Sequence, residues 1–353
     1  MAQAVTNIGG GIYNNIVLLV AFWIFTIYLD RQIKTNETMK EYRSYALAFY
    51  GKGSEYFKIR IVNTILNILT LSLYCPWAKE RSLKYLYNKN TFEETPFVFS
   101  GTGKEMFKGY IKALVILLVL YGTFFYLTLN DHAGLAILIL YGGVLALMPL
   151  AIHGSYRYRM AKTSWKGIRF GYTGNRGELV GLFFKSLLFT ILTLGIYSAW
   201  FTINLRRYIL SNIKVGNARF VYTGDGADYF ILNLKGYFLT IFTLGIYLFW
   251  WQKEQFQFFV DNLRLEQGDD AVFFRSKATG SGFAGLMIVN ILILVFTLGL
   301  GYAWVVTRNL NFAMSNIEAN GYYSFESLQQ AQGDYSDATA DDMTDLLDLG
   351  AVI

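Results

Sequence analysis

The chain has 353 residues, of which 54% are hydrophobic and only 16% are charged, and its net charge is +6. A soluble domain carries roughly a quarter of charged residues, so this composition excludes an ordinary soluble protein. Cys75 is the only cysteine, which excludes an intramolecular disulfide framework and a cysteine-based zinc site.

Seven apolar blocks follow one another along the chain, and each approaches the roughly 20 residues that span a bilayer core. They predict a polytopic membrane protein made mainly of α-helices. The first block has neither a basic leader nor a small-residue cleavage site, so residues 1–45 are predicted to form a transmembrane segment and a linker. The blocks are residues 12–29, 57–78, 106–129, 133–153, 179–204, 228–251 and 283–306.

The basic residues predict an orientation. The N-terminal tail and the connection Asn130-Asp131-His132 contain no Lys or Arg. Basic loops stay on the cytoplasmic side, so the N-terminus is predicted to lie outside and the basic loops inside. All Lys and Arg except Arg308 lie in loops 30–60, 78–112, 154–185, 203–235 and 251–282.

Four of the blocks conflict with this orientation. If each of them crossed the membrane once, the basic loops before and after it would lie on opposite sides. The same four blocks contain a recurring octapeptide: TLSLYCPW at 70–77, TLGIYSAW at 193–200, TLGIYLFW at 243–250 and TLGLGYAW at 297–304. Glycine tolerates the backbone angles of a turn, and irregular backbone at membrane depth is allowed where protein buries it. We therefore predict re-entrant helical hairpins that break at Gly195, Gly245 and Gly299. The alternative is that these blocks are simple spanning helices and that the charge bias of the loops is overridden.

The octapeptide belongs to a longer repeat. An alternation of aromatic residues with a glycine pair precedes each block and predicts a short cytoplasmic strand and a turn. A basic aromatic helix follows the octapeptide, as in FTINLRRYILSN at 201–212. The second copy is expanded by a two-helix hairpin at 106–153. Five copies, near 46–96, 97–169, 170–219, 220–272 and 273–325, make up a repeated membrane domain at 46–325.

The pattern F-x-[FY]-x-G-x-G, apolar helix, T-L-G-I-Y-x-x-W and basic aromatic helix resembles the YjgN-like bacterial inner-membrane proteins. The resemblance covers roughly residues 46–325. It implies a location in the bacterial inner membrane and implies little about activity, because the family is a domain of unknown function. The chain departs from the family pattern in its extra segment 1–45, in Ser72 of the first octapeptide and in Leu300-Gly301 of the fourth.

Catalytic chemistry has no support in the sequence. There are two histidines, and no H-E-x-x-H, no G-x-S-x-G and no paired metal-ligand spacing occurs. His153 and Cys75 are interpreted as structural residues. We predict no enzyme, no catalytic residue, no metal and no cofactor.

The glycine pairs and the basic residues after the octapeptides are candidates for binding lipid head groups. The glycines either form structural turns or present backbone N–H groups to a phosphate ahead of a helix N-terminus. Basic residues at a cytoplasmic rim attract anionic lipid. The candidates are Gly51, Gly53, Gly101, Gly103, Gly224, Gly226, Lys79, Arg81, Lys84, Arg206 and Arg207.

A polar helix face precedes each octapeptide, with residues at i, i+4 and i+7. Such a face is predicted to point at protein or water. Either it packs helices together, or the four faces converge on a shared polar path. The only charges seen beside these faces are Lys185 and Lys235, at block edges. The face residues are Asn63, Asn67, Thr70, Ser186, Thr190, Thr193, Thr240, Thr243, Asn290 and Thr297, together with Gly236.

Residues 326–353 form an acidic tail that reads as disordered. Met343, Leu346, Leu347 and Leu349 lie among aspartates and offer a docking helix as the alternative to a solvated tail. The resulting functional prediction is a non-enzymatic inner-membrane scaffold or accessory protein. It binds anionic phospholipid and, through the tail, a membrane-protein partner, but no nucleic acid. The alternative is a transporter or channel for a lipid or small solute.

Overall fold

The computed structural model describes residues 42–322 and Leu328. The chain divides into two compact units, Met1–Tyr42 and Arg43–Ile353, and every element below belongs to the second. The predicted transmembrane segment within 1–45 falls on residues 1–41, outside the described residues. So does the predicted acidic tail at 326–353, apart from Leu328.

Ten α-helices occur in the described part of the chain, and they come in five consecutive pairs. The first helix of four pairs has 17 residues, or about 25 Å at 1.5 Å per residue. The helices are α1 Gly53–Leu69, α2 Cys75–Lys89, α3 Gly103–Leu129, α4 Ala133–Ala161, α5 Arg176–Leu192, α6 Ser198–Ser211, α7 Gly226–Phe242, α8 Leu248–Asp261, α9 Gly280–Phe296 and α10 Tyr302–Ser315.

Two helices within the described residues, α3 and α4, are long and apolar enough to cross a membrane. Their connection lies at residues 130–132, the tip of the predicted two-helix hairpin, which contains no Lys or Arg. The other four pairs, α1/α2, α5/α6, α7/α8 and α9/α10, turn within the octapeptide. We call these four pairs the short hairpins.

Short antiparallel strands connect the helix pairs. Strand order in the larger sheet is β1-β12-β11-β10-β9-β8-β7-β6-β5, and β2-β3-β4 form a smaller sheet. The strands are β1 Arg43–Tyr45, β2 Leu47–Phe49, β3 Asn90–Phe92, β4 Thr95–Pro96, β5 Val98–Phe99, β6 Thr163–Trp165, β7 Ile168–Tyr172, β8 Ile213–Val215, β9 Ala218–Tyr222, β10 Leu263–Gln267, β11 Asp270–Ser276 and β12 Ile317–Tyr322.

One face of the larger sheet forms the core. Alternate residues along the strands, such as Phe170, Val215, Leu265 and Val272, are buried there, as expected for a half-buried strand. The side chain of Ile209, from helix α6, joins the same cluster. The sheet therefore packs against the second helices of the pairs and exposes its other face.

The helix contacts follow chain order and close on themselves. Each helix packs against the next, and α10 packs against α1. Strands β1 and β12 pair in the same way, with Arg43 opposite Gly321. Within the unit Arg43–Ile353, the five pairs therefore form a ring in which the last pair contacts the first.

Helix ends follow from the local sequence. Side-chain oxygens of Thr102, Asn175, Asp225 and Thr279 accept backbone N–H groups at the starts of α3, α5, α7 and α9. At the ends of the second helices, Asn side chains donate to the carbonyl four residues earlier. These are Asn90, Asn212, Asn262 and Asn316.

Candidate functional site

The turn of each short hairpin is closed by a threonine hydroxyl. In α5/α6, Thr193 Oγ1 donates to the Phe189 carbonyl at 2.7 Å and accepts the Tyr197 N–H at 3.0 Å. Every backbone N–H from Thr193 to Ser198 has an acceptor inside the hairpin. The turn therefore satisfies its amide donors without water.

The other three turns repeat this geometry. Thr70, Thr243 and Thr297 make the same two bonds, at 2.5 to 3.0 Å. The turns keep this form despite Ser72 in the first and Gly301 in the fourth. Neither change affects the bond that closes the turn, because its acceptor is the threonine hydroxyl and its donor is a backbone N–H.

The residues after each threonine adopt left-handed backbone angles. Gly195, Gly245 and Gly299 have φ values of +95°, +92° and +85°, which glycine accepts readily. Ser72 takes the same position with φ +69°. The predicted break residues therefore lie at the turns.

The tips of the short hairpins are apolar and exposed. Leu194 and Leu244 are each 95% exposed, Leu298 is 93% and Leu71 is 89%. Their neighbours in the preceding turn, such as Phe242 and Phe296, are also exposed. An apolar surface of this kind requires a partner or a membrane.

The predicted polar faces lie between the two helices of a hairpin. Asn63 Nδ2 donates to the Ala78 carbonyl of α2 at 3.0 Å, and Asn290 Nδ2 donates to Asn309 Oδ1 of α10 at 2.7 Å. A side chain at Gly236 would overlap the Trp251 ring of α8. These contacts stay within one hairpin and support helix packing at these three positions, while convergence of the four faces on a shared centre stays a prediction.

The remaining face residues have more varied surroundings. Ser186 is buried, and Thr190 Oγ1 donates to its carbonyl at 2.8 Å. The side-chain oxygens of Asn67 and Thr240 are buried with no hydrogen-bond partner among the described residues. The faces thus combine satisfied and unsatisfied polar groups.

More charged side chains lie beside these faces than the sequence indicated. Lys235 lies in the middle of α7, not at a block edge, and its Nζ is 2.6 Å from Glu254 Oε1 of α8. Tyr247 donates to the same oxygen at 3.0 Å. Arg308 Nε donates to Asn290 Oδ1 at 3.1 Å. The expectation that Lys185 and Lys235 are the only such charges is therefore wrong.

The predicted head-group glycines are sites of close packing. An added Cβ at Gly103 or Gly226 would overlap the ring of Trp77 or Trp200, the last residue of the preceding octapeptide. Trp304 meets Gly53 in the same way, across the junction of the last and first pairs. The rings of Phe49, Phe99 and Tyr222 cover Gly51, Gly101 and Gly224.

Protein atoms already use polar groups of these turns. The Gly103 N–H donates to Glu80 Oε2 at 2.5 Å, and the Arg207 guanidinium donates to the Gly224 carbonyl at 2.6 Å. Burial raises the pKa of Tyr222, which covers Gly224, to about 12. The contacts support a structural role for the glycines in packing and leave their role in phosphate binding as a prediction.

The basic candidates lie in α2 and α6, the second helices of the first and third pairs. Arg206 lies 3.8 Å from the centroid of the Phe259 ring, and Lys84 lies 2.6 Å from Glu80. Arg81 stacks over Tyr74 at 5.6 Å, and Lys79 is half-buried. Arg81, Lys84 and Arg207 are exposed.

An open groove of about 510 Å³ lies between α6, α7 and α8. Its polar residues include Ser198, Thr202 and Asn233. Asn233 Oδ1 accepts from Trp251 Nε1 at 3.2 Å and from Gln255 Nε2 at 2.9 Å. Uncharged hydrogen-bonding groups therefore line a groove between two neighbouring hairpins.

The two residues interpreted as structural are packed. His153 is buried and meets the Tyr172 ring edge-on at 5.4 Å, and Cys75 is half-buried at the start of α2. Over residues 42–322, no cluster of three or more His, Cys, Asp or Glu side chains could hold a metal ion.

Sequence reasoning missed a tyrosine contact within the pairs. Tyr85 Oη accepts the Lys52 N–H and Tyr208 Oη accepts the Asn175 N–H, each at 2.8 Å. Each tyrosine lies near the end of the second helix of its pair and accepts the N–H of the residue that precedes the first helix. The aromatic residues of the basic helix that follows each octapeptide were the available signal, but the sequence does not specify their partners.

Comparison with known proteins places the chain among bacterial membrane proteins. The family described as "Bacterial protein of unknown function (DUF898)" matches residues 44–221 and 268–346. The chain is 32% identical over 133 residues to Inner membrane protein YjgN of Salmonella typhimurium, covering 38% of this chain and 32% of that protein. It is 31% identical over 134 residues to Inner membrane protein YjgN of Escherichia coli K12, covering 36% of this chain and 31% of that protein.

The chain spans about a third of the length of these relatives. No solved structure matches it.

Proposed function

The chain belongs to the DUF898 family of bacterial proteins of unknown function, whose curated relatives are inner membrane proteins, and on that premise we propose that it is a non-enzymatic, lipid-binding scaffold of the inner membrane. In this proposal α3 and α4 cross the bilayer. The four short hairpins enter the membrane from the cytoplasmic side and turn back within it.

The observation that carries this proposal is the dry, apolar turn. A backbone inside hydrocarbon must satisfy its polar groups internally, because no water is present there. Thr193 Oγ1 and the carbonyls around it accept all the amides of the turn, while Leu194 is 95% exposed. A turn in water has no need of either feature.

The length of the helices supports re-entry. A helix of 17 residues is about 25 Å long, somewhat shorter than the roughly 30 Å hydrocarbon core. With its first turn at the rim, such a helix ends before the opposite head groups. The apolar tip then lies in hydrocarbon, where exposed leucine and phenylalanine are stable.

Cysteine labelling in a Cys75→Ser background tests the re-entrant arrangement. We expect an impermeant thiol reagent to label Asn130→Cys in intact cells and to label Asn217→Cys and Asp269→Cys only after the membrane is opened. Leu194→Cys resists the reagent from both sides. Labelling of Leu194→Cys from outside, with Asn130→Cys as the positive control, contradicts re-entry and favours simple spanning helices.

The lipid-binding part of the proposal rests on the basic residues that follow the turns. Each Lys or Arg near an anionic surface contributes roughly 1 kcal/mol of attraction. Arg207 is exposed, and Arg206 is half-buried beside it. Several such residues together are expected to retain phosphatidylglycerol or cardiolipin through purification.

Native mass spectrometry of the purified protein tests lipid retention. We expect anionic lipid to exceed zwitterionic lipid on the wild type, and the double variant Arg206→Ala, Arg207→Ala to lose part of this excess. The control is Lys166→Ala, which lies in the turn between β6 and β7. Equal retention of anionic and zwitterionic lipid by the wild type contradicts head-group binding.

The groove between α6, α7 and α8 favours a second function, transport of a small solute or lipid. Ser198, Thr202 and Asn233 offer uncharged hydrogen-bonding groups there. A flux or lipid-scrambling assay in liposomes decides between the two functions. Activity that Asn233→Leu abolishes favours transport, and the absence of flux with lipid retained favours the scaffold.

A further inference from the structure

Charged residues set a shallower limit on the insertion of the short hairpins than helix length does. Lys185 and Lys235 are the tenth residues of α5 and α7, and Lys112 is the tenth residue of α3. In α3, a helix long enough to cross the bilayer, the uncharged run starts after Lys112, so this lysine marks the level of the head groups. Lys185 is exposed, and the Lys235 side chain is 49% exposed. We expect both of these lysines to mark the same level.

Contacts between the two helices of a hairpin place charge at a similar distance from the turn. Lys235 lies seven residues before the end of α7, and Glu254, 2.6 Å from it, lies six residues after the start of α8. Arg308 and its partner Asn290 each lie six residues from their turn. At 1.5 Å per residue, these charges are about 9–10 Å below the helix ends. A charge held across the hairpin in this way resists moving into hydrocarbon.

Uncharged stretches of similar length reach different depths in the two kinds of pair. Residues 113–129 of α3 contain no charged residue and run straight for about 25 Å, close to the roughly 30 Å of a hydrocarbon core. Residues 186–205 and 236–252 are also uncharged, but the turn of the hairpin folds each of them near its middle. Each arm is therefore about 10–15 Å long, which is half of the hydrocarbon core.

This difference in depth makes the two leaflets unequal. Of the ten helices in the described part of the chain, only α3 and α4 continue into the outer leaflet, while the eight helices of the short hairpins end near the bilayer centre. A helix with its side chains is about 10–12 Å across, so these eight helices displace roughly 600–900 Å² of lipid from one leaflet.

We propose that the four short hairpins form a wedge in the cytoplasmic leaflet alone, and that the protein collects in membrane whose cytoplasmic leaflet is convex. Convex curvature spreads the head groups of that leaflet apart, and the wedge fills the space that opens. Helices that insert into one leaflet bind in a curvature-sensitive way for the same reason. This inference rests on the re-entrant arrangement proposed above and adds the depth of the hairpins and a preference for curvature.

Quenching by lipid brominated in one leaflet tests the depth. In the Cys75→Ser background, a fluorophore is attached to Leu194→Cys and the protein is reconstituted in one orientation. Bromine at the middle of the acyl chains of the cytoplasmic leaflet should quench this label more than bromine in the opposite leaflet. Val115→Cys, three residues after Lys112, is the control for the cytoplasmic leaflet. Tyr126→Cys, fourteen residues after Lys112, is the control for the opposite leaflet.

Membrane nanotubes drawn from giant vesicles test the preference for curvature. With the cytoplasmic face outward, the protein should be enriched on the tube about threefold over the vesicle, and with this face inward it should be depleted. Replacing the exposed leucine at all four tips by asparagine, which accepts their φ of about +50°, should abolish the enrichment without disturbing packing. The substitutions are Leu71→Asn, Leu194→Asn, Leu244→Asn and Leu298→Asn.

The outcomes separate this inference from the re-entrant arrangement on which it rests. Stronger quenching of the Leu194→Cys label from the opposite leaflet, without labelling by the impermeant thiol reagent from outside, leaves re-entry intact and overturns the limit to one leaflet. A label that neither leaflet quenches lies outside the membrane and overturns both. Equal density on the tube and the vesicle, or equal enrichment in the two orientations, overturns the preference for curvature.

Discussion

The threonine that closes each hairpin turn is predicted to contribute measurably to stability. We consider Thr193→Val, which keeps the shape of the side chain and removes the hydroxyl. The substitution deletes the 3.0 Å bond from the Tyr197 N–H and the 2.7 Å bond to the Phe189 carbonyl. Tyr197 N–H then has no acceptor in the turn.

The expected magnitude follows from these two bonds. An amide left without a partner away from water costs about 1–3 kcal/mol. Hydrogen bonds within membrane proteins average nearer 0.6 kcal/mol, with a maximum of about 1.7. We therefore expect Thr193→Val to lower the free energy of unfolding by about 1–2 kcal/mol, and Thr243→Val to do the same.

Thr202→Val is the matched control. Thr202 Oγ1 also donates to a carbonyl four residues earlier, that of Ser198 at 2.9 Å, but it accepts no backbone amide. Its loss should cost less than about 0.5 kcal/mol. Unfolding in mixed detergent micelles, titrated with dodecyl sulfate and followed by tryptophan fluorescence, measures both variants. Equal midpoints for Thr193→Val and Thr202→Val refute the role assigned to the turn hydroxyl.

Two further predictions concern glycine. Gly226→Ala should destabilise the protein by about 1–3 kcal/mol in the same titration, because the new Cβ overlaps the Trp200 ring, whereas Gly181→Ala meets open space and should be neutral. Ser72→Gly should stabilise the first hairpin by about 1 kcal/mol, since φ at Ser72 is +69°, and Gly195→Ser should destabilise the third pair by a similar amount. A loss of stability from Ser72→Gly, or a gain of stability from Gly195→Ser, contradicts the assignment of backbone strain to this position.

Family membership and a mainly helical fold could be predicted from the sequence, and both are confirmed. The octapeptide specifies its turn locally: the bonds of Thr193 connect residues at most four positions apart, and Gly195 takes the angle that glycine favours. Local contacts of this kind are visible in a repeated motif. The polar helix faces were also visible, but sequence spacing did not identify their partners.

The features that escaped prediction depend on distant residues. Trp304 packs on Gly53 only because the ring closes, and no local pattern indicates that closure. The pairing of Glu254 with Lys235 depends on how α7 and α8 are aligned, so no sequence signal indicated it. Both contacts arise from tertiary packing, which local sequence signals do not specify.

Ring closure has a consequence for assembly during synthesis. Most helix contacts join neighbours in the chain and can form as each pair emerges, since short loops close at little entropic cost. The seam between α1 and α10 joins residues such as Gly53 and Trp304 and must wait until nearly the whole repeated domain is made. Until then two complementary helix surfaces stand open. A chain interrupted before α10 keeps the α1 surface open, and the α10 of another chain can occupy it. When many copies are synthesised close together, this fold is therefore prone to form domain-swapped rings through the contact between α1 and α10.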